Sequence, residues 1–452
     1  MPTLDFTCAI GSPFDIRRFY ARESLDGLFE IDLLAVAEDH TIDLDAIVGQ
    51  AASFGADTGY VGALGGSRRW SGIVTFAEQV QGMEPGKHGT RVLSTYRVRM
   101  APTLWKLSQR TNNRIFQRVS IPDIVDEILK EWHLEPTWKV ERGDYPKLEY
   151  KVQYGESDLV FLTRLLEEAG IAFHHDDVEG ETKLTLNDKP QKNPKRKGRP
   201  ITYEDSPTEA AQREFVTAVR LGHEVRPGAT HFVDFDFRNP SFRLSADAKR
   251  APAPESEYEQ LEYNPGSFLI EGKPSNTPTA DDKGAYRYEA SHGEKRAQRS
   301  LEAARTGKRA VHFETNVIDL QPGTVFQIEN HPHETLAADL LLTDLEVRGT
   351  HDGKWDMSAR AVFAAEPYRP ALRTPRPKAF GVQSATVTGP EGQEIHVDEF
   401  GRVRVQFPWD RVGKNNDESS VWMRVSQGWA GSGFGIIAIP RIGQEVLVGF
   451  LG

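Results

Sequence analysis

Cysteine is almost missing: Cys8 is the only one in 452 residues. A single thiol excludes an intrachain disulfide and any cysteine-based zinc cluster, and folding in a reducing cytoplasm is the expectation. Long apolar runs are missing as well. None approaches the roughly 20 residues that carry a helix across a bilayer. The opening MPTLDFTCAIGSPFDIRR has no basic stretch followed by an apolar core, so no signal peptide is read there. Export would then bypass the general secretory route. Positive charge is in deficit, with a formal net charge of -11. Such a field repels phosphate backbones and argues against nucleic acid as a partner.

Catalytic signatures are equally scarce. There is no Gly-x-Ser-x-Gly elbow and no Walker loop ending in Gly-Lys-Ser/Thr. Gly431-Ser432-Gly433-Phe434-Gly435 has the look of a phosphate loop, but the strand-like IIAIP follows it where a helix N-terminus would be needed, so it reads as a turn. His333-Glu334 begins a zinc-protease motif that lacks its second histidine. His174, His175, Asp176 and Asp177 are metal-ligand types, but neighbours on a strand point to opposite faces. Asp234 and Asp236 fall on one face of a strand, where paired carboxylates do acid/base work or alternate outward as ordinary polar residues. Cys8 has no identifiable activating partner and reads as an inert thiol. No catalytic residue, cofactor or metal is expected.

What is present points to a β-rich protein of three or four domains. Hydrophobic residues make up 38% and aromatics 10%, enough for ordinary cores, while 39 Gly and 27 Pro supply many turns. FEIDLLAV (29–36) and STYRVRM (94–100) suit strands, with a Gly-rich break at 62–67 and one short helix over DLDAIVGQ (43–50). From Ser120 the period changes. Ser120 and Pro122 open a helix that places Ile124, Val125, Ile128, Leu129 and Trp132 on one face. A second helix starts near Ser157, carries Leu162, Leu165, Leu166 and Ala169, and stops at Gly170. The basic stretch KPQKNPKRKGRP (189–200) is either an anchor for an acidic partner or a solvated loop. Strands resume at 213–222 and 230–237, residues 251–285 read as loop, and a polar helix is expected near 291–306. Pro370 to Pro377 reads as a linker. The last 75 residues form a small antiparallel barrel: Val403, Val405 and Phe407 alternate with polar neighbours, as do Val421, Met423 and Val425. The sequence stops at VLVGFLG (446–452), inside an apolar strand, and is expected to be a fragment.

Several blocks resemble the VgrG family of type VI secretion spikes. They are FDIRRFYARESLDGLFEIDL (14–33), RVRMAPTLWKLSQRTNNRIFQRVSIPDIVDEIL (97–129), YGESDLVFLTRLLEEAGIAFHH (154–175), PGATHFVDFDFRNP (227–240), FGRVRVQFPWDR (400–411) and SSVWMRVSQGWAGSGFGIIAIPRIGQEVLVGFL (419–451). They span nearly the whole chain in family order. The resemblance implies two tube-type β-barrels, an inserted helical domain and an OB-fold leading to a triple-stranded β-helix, whose Val-x-Gly repeats are missing here. The expected division is 1–105 for the first barrel, 106–205 for the insertion, 206–245 plus 308–368 for the second barrel, 246–307 for a small subdomain, 369–380 for a linker and 381–452 for the OB-fold. It further implies a homotrimer seated on a hexameric, Hcp-like secreted tube, with baseplate components, a PAAR-type tip protein and effectors as partners. Membrane contact would be transient, during puncture, with a cytoplasmic stage before secretion. Trp409, Trp422, Trp429 and Phe434 are candidates for packing between chains, and serve an intrachain core equally well. Two other readings stay open: a phage tail or extracellular particle hub, and an envelope-degrading hydrolase built on Asp234 and Asp236 or on the cluster at 174–177.

Overall fold

A computed structural model describes residues 3–58, 66–81, 93–207, 213–238, 240–271, 286–353 and 355–450. Most of the Gly-rich break at 62–67, and residues 272–285 of the expected loop, lie outside the described residues.

Alternating burial builds the main sheet. In Glu30–Ala37, Ile31, Leu33, Ala35 and Ala37 are buried while Asp32, Leu34 and Val36 face outward, the period of two that a half-buried strand requires. Thirteen strands join in one sheet. One half runs in the order Thr3–Thr7, Ala51–Asp57, Ser67–Gln81, Ser94–Ala101, Glu30–Ala37, Asp15–Ser24. The other continues with Leu340–Thr350, Trp355–Phe363, Arg309–Thr315, Phe215–His223, Ile201–Tyr203 and Ile328–Glu329, while Val325–Phe326 pairs Leu340–Thr350. The seam is antiparallel, from Arg18 opposite Thr350 to Ser24 opposite Asp344. Each half curls over apolar side chains that merge into one core, with Phe19, Phe54, Trp70 and Tyr96 from the first and Val311, Phe313, Leu342 and Val347 from the second.

The halves repeat each other. Asp15–Ser24 pairs with Glu30–Ala37, and Phe215–His223 with Arg309–Thr315, through a register shift near the start of the earlier strand: between Ile16 and Arg18 in one half, between Thr217 and Arg220 in the other. The last two strands also share a shift, at Val74/Phe76 and at Leu342/Asp344. Bulges bend strands and strengthen twist, so matching bulges give the halves matching curvature.

Between the halves lies the helical insertion. Helix α1 (Ile121–Glu131) is capped by Ser120, whose Oγ accepts the Asp123 N–H at 3.3 Å. Helix α2 (Asp158–Ala169) is capped by Ser157 and ends at Gly170, φ 70°. A left-handed residue closes a helix most cheaply as glycine, and a Cβ there would lie 3.2 Å from Arg369 Cδ. Both helices bury their apolar faces against Phe116, Phe173 and Leu186. Helix α3 (Ala290–Arg305) packs Ala297 and Leu301 against Phe232, Leu244 and Phe268.

Four local expectations change. Residues 43–50 form a turn, with the Ile47 and Val48 N–H groups donating to the Leu44 carbonyl, because Gly49 at φ 81° breaks the run just before a strand. Ala229–Asp234 does not join the large sheet but pairs with Leu244–Asp247 and Glu259–Tyr263. Ile201–Tyr203, read as the end of the insertion, pairs in the large sheet. The basic stretch is pinned rather than free: Arg196 binds Glu214 and Asp319, and Lys195 reaches Asp339 at 2.8 Å. The terminal module pairs Val382–Thr388 with Arg404–Gln406 and with Glu445–Gly449 around Val387, Val405 and Phe407.

Candidate assembly surface and terminal joint

The carboxylates singled out for chemistry are engaged in holding the fold. Asp234 is buried at the end of its strand and accepts backbone N–H groups from Phe235, Gly266 and Phe268 at 2.7, 2.9 and 3.1 Å. Burial raises its pKa against the pull of those donors. Asp236, beyond the strand, takes Arg238 Nε at 2.8 Å. In the 174–177 cluster the alternation holds. His174 Nε2 lies 3.3 Å from Asp176, whereas Asp177 turns to the Arg69 and Gly180 N–H groups. His175 packs edge-on to Phe29 and Phe173, and burial holds its pKa down at about 3, so the ring is neutral. The cluster thus ties the Ala172–Val178 hairpin to the first half of the sheet. Cys8 is buried with its thiol toward the Gly11 carbonyl, and His333 and Glu334 are exposed. Among the described residues, no three His, Cys, Asp or Glu side chains are placed to share a metal ion.

The four aromatics divide into two groups. Trp409 stacks on Phe407 with ring centroids 4.7 Å apart and meets Tyr154 of the insertion edge-on at 5.7 Å. Its indole N–H donates to Gln383 Oε1 at 2.8 Å, and Gln383 Nε2 donates to Tyr154 Oη at 2.5 Å. Trp422 lies half-buried between the Arg404 guanidinium and His396. By contrast, Trp429 and Phe434 are 59% and 56% exposed and touch each other across the hairpin of Ala430–Gly431 with Phe434–Gly435. Ile436 and Ile437 are exposed beside them, and Val382 and Leu447 stand on the outward face of the terminal sheet. Single exposed apolar residues are ordinary; here they cluster on one module.

Sequence reasoning missed the joint between the terminal module and the rest. Phe237 lies under the guanidinium groups of Arg424 and Arg402, 4.6 and 5.5 Å from its ring, and beside Phe400. Gln117 Nε2 donates to the Glu418 carbonyl at 2.8 Å, and Arg404 reaches back to Gln117 Oε1. The blocks containing Gln117, Tyr154, Phe237, Phe400 and Trp409 are far apart in the chain and converge here. Their aromatic and amide side chains, adjacent to strand patterns, were the available signal. The 369–380 segment is held as well: the Arg373 and Thr374 N–H groups donate to Glu167, and Arg369 donates to the Gly170 and Asp188 carbonyls. Replacing Trp409 with alanine should therefore loosen the terminal module by about 3 kcal/mol. In calorimetry a separate, earlier transition is expected; a single unshifted transition would show that the joint does not depend on it.

Comparison with known proteins gives the same architecture. Residues 22–353 match the phage tail baseplate hub (GPD) family, and residues 387–452 match the type VI secretion system/phage-baseplate injector OB domain. The type VI secretion system spike protein VgrG5 of Pseudomonas aeruginosa is 32% identical over 97% of this chain and 54% of its own length. The chain spans about half the length of the curated relatives it matches. Among solved structures, the E. coli c3393 protein superposes with a TM-score of 0.64 at 20% identity, covering 99% of this chain and 96% of that one. It is described as a type VI secretion component with structural similarity to the T4 tail proteins gp27 and gp5. The lidded Francisella PdpA-VgrG complex gives a TM-score of 0.58 at 9% identity, covering 100% of this chain and 70% of that one. The match over residues 22–353 places the chain in the phage tail baseplate hub family, with two repeated sheet halves, a helical insertion and a terminal injector OB domain.

Proposed function

We propose that this chain is the hub of a type VI secretion spike, in which three copies close into a ring that sits on a hexameric secreted tube and carries effectors outward when the machine fires. The observation that carries this reading is the repeat within the sheet. At the seam, Asp15–Ser24 of one half pairs with the stretch of Leu340–Thr350 that follows its bulge. The equivalent stretches elsewhere are 217–223 and 76–81. Among the described residues neither has a strand beside it on its outer edge: on Phe215–His223, Ile201–Tyr203 reaches only Phe215 and Val216, and on Ser67–Gln81, Ala51–Asp57 stops at Ile73. Exposed Phe76 and Val80 lie on one of these edges. An open strand edge is a template for pairing, and a head-to-tail contact that closes makes a ring. Three chains with two halves each would present six similar modules, the symmetry a sixfold tube needs.

Trp429, Phe434, Ile436, Val382 and Leu447 would then meet around the threefold axis at the OB barrel. The work is mechanical, transmission of force without bond chemistry, which accords with relatives that are spike proteins. A cytoplasmic stage before firing, baseplate components, an Hcp-like tube, a PAAR-type tip protein and transient membrane contact complete the reading. No described helix is long and apolar enough to cross a membrane. A phage-type tail hub uses the same geometry and is the second reading, since c3393 is likened to T4 tail proteins.

Paired cysteines at Val80 and Gly222 test the ring, with the buried native Cys8 giving little background. Oxidation is expected to link copies into species no larger than a trimer, and sedimentation of the unmodified chain to show a concentration-dependent trimer. A chain that stays monomeric at every concentration and forms no interchain link sinks this reading.

A further inference from the structure

Helix α3 turns His292, Arg296 and Arg299, spaced for one helical face, toward the C-terminal end of α2. There Glu168 receives Lys151 Nζ at 2.5 Å and Arg296 at 3.0 Å, with Arg376 at 3.9 Å. Arg299 lies 4.9 Å above the Tyr145 ring, and the carboxylates of Asp144 and Asp188 act on it from beyond ion-pair distance. A cavity of about 120 Å³ lies between α3, α2 and the 369–380 segment, and Arg296, Arg299 and Arg376 all line it. A smaller one, of about 20 Å³, adjoins it and is lined by His292, Arg296 and Arg299. His292 is 8% exposed, and its Nε2 has no hydrogen-bond partner.

We propose that this partly open cavity binds one tetrahedral oxyanion of the phosphate class, gripped by Arg299 and Arg296 from α3 and by Arg376 from the segment leading to the OB barrel. Charge is the first argument. Glu167 and Glu262 also line the cavity, but Glu167 is bonded to the Arg373 and Thr374 N–H groups and the Thr374 hydroxyl, and Glu262 to Ser300 and Asn264. With Lys151 and Arg164's partner Glu156 counted beside the lining residues, Lys151, Arg164, Arg296, Arg299 and Arg376 exceed Glu156, Glu167, Glu168 and Glu262 by one positive charge, while Asp144 and Asp188 act on Arg299 from farther off. A buried charge is costly unless it is paired. Burial lowers the pKa of Arg299 and of Arg376, and takes Lys151 down to about 8. Burial first, then Arg296 and Arg299, push His292 down to about 3. Burial leads all four shifts, the cost of removing a cation from water.

Shape is the second argument. Guanidinium forks suit an ion with several oxygens, and a cavity of this size under a covering segment takes a small ion rather than a chain. Bound there, the ion would fasten the covalent link between hub and OB barrel to α3. That would make the stiffness of the joint depend on an ion.

The test uses the whole chain and inorganic phosphate, and does not depend on ring formation. Equilibrium dialysis with radiolabelled phosphate should show saturable binding near one ion per chain. The thermal midpoint should rise with phosphate and not with chloride at matched ionic strength. Arg299→Gln should weaken binding at least tenfold. Absence of saturable binding by the unmodified chain, an equal response to chloride, or full binding by a folded Arg299→Gln protein would each overturn the assignment. Should that variant fail to fold, the dialysis and chloride comparison on the unmodified chain decide alone.

Discussion

Asp158→Ala is expected to remove about 3–5 kcal/mol of stability, the cost of breaking a buried ion pair by deleting one partner. Asp158 is fully buried at the first turn of α2. Its two oxygens accept from Arg110 Nε at 2.6 Å, Arg114 at 3.0 Å, Gln153 Nε2 at 2.9 Å and Trp132 Nε1 at 3.0 Å. Burial alone would raise its pKa, but hydrogen bonds from Gln153, Trp132 and Arg110 outweigh that and hold the carboxyl below the usual range. Truncation leaves the Arg114 guanidinium buried with Glu131 as its remaining acid, the Trp132 indole without this acceptor and the Gln153 amide with the Glu156 carbonyl alone. Urea denaturation reads the loss as a fall in midpoint. Asp158→Asn separates charge from shape: it keeps the volume and removes the negative charge, so it should destabilise nearly as much as alanine if charge dominates. A loss below about 1 kcal/mol in both variants would mean the network contributes little.

This site marks the boundary between what the chain discloses locally and what it does not. The Ser caps, the apolar faces of α1 and α2 and the glycine stop at 170 were legible because each depends on neighbours within a turn or two. Glu156 and Asp158 sit in the same block, yet their partners Arg164, Arg110 and Arg114 come from the next helical turns and from a strand some forty residues earlier in the chain. No local pattern reveals such pairings. The repeat of the sheet is carried by the family resemblance and not by the residue pattern, for a similar reason: alternation permits many residues at each position, and what the halves share is strand order and the place of two bulges. The 369–380 segment reads as a linker because prolines dominate it, but Glu167, on a helix two hundred residues earlier, fastens it. Trp409 and Trp429 look alike in the sequence. One is engaged by Tyr154 and Gln383, the other is left facing outward, and only the tertiary arrangement separates them.

Asp26→Asn should stabilise the protein at neutral pH, by up to about 4 kcal/mol, and this advantage should vanish on acidification to pH 4. Asp26 holds a left-handed backbone, φ 60°, in the turn before Glu30–Ala37. Its Oδ1 accepts the Phe173 N–H at 3.0 Å and its Oδ2 accepts the Tyr368 hydroxyl at 2.7 Å, so it joins the first half of the sheet, the insertion and the residue that precedes the 369–380 segment. Burial, opposed by those two donors, pushes its carboxyl up from 3.8 to about 7, with Glu167 adding to the rise and Arg373 working against it. A carboxyl raised in the folded state contributes stability that is complete below 3.8 and is lost as pH climbs through 7. Two other buried groups act in the opposite direction over nearly the same window. His175 and His292, each held at about 3, lose stability as pH falls below 6.5, because the unfolded chain takes up protons that the folded one refuses. The unmodified protein's own pH profile therefore mixes both trends. The difference between it and Asp26→Asn isolates the carboxyl, since both proteins carry the same histidines. Asparagine tolerates the left-handed backbone and keeps an oxygen for Phe173, so the fold should be preserved. Denaturant midpoints at pH 8, 6 and 4 give the result: a gap that is wide at pH 8 and closes by pH 4 is expected. A gap independent of pH would mean that Asp26 titrates as an ordinary carboxyl and that the three segments meet there at no electrostatic cost.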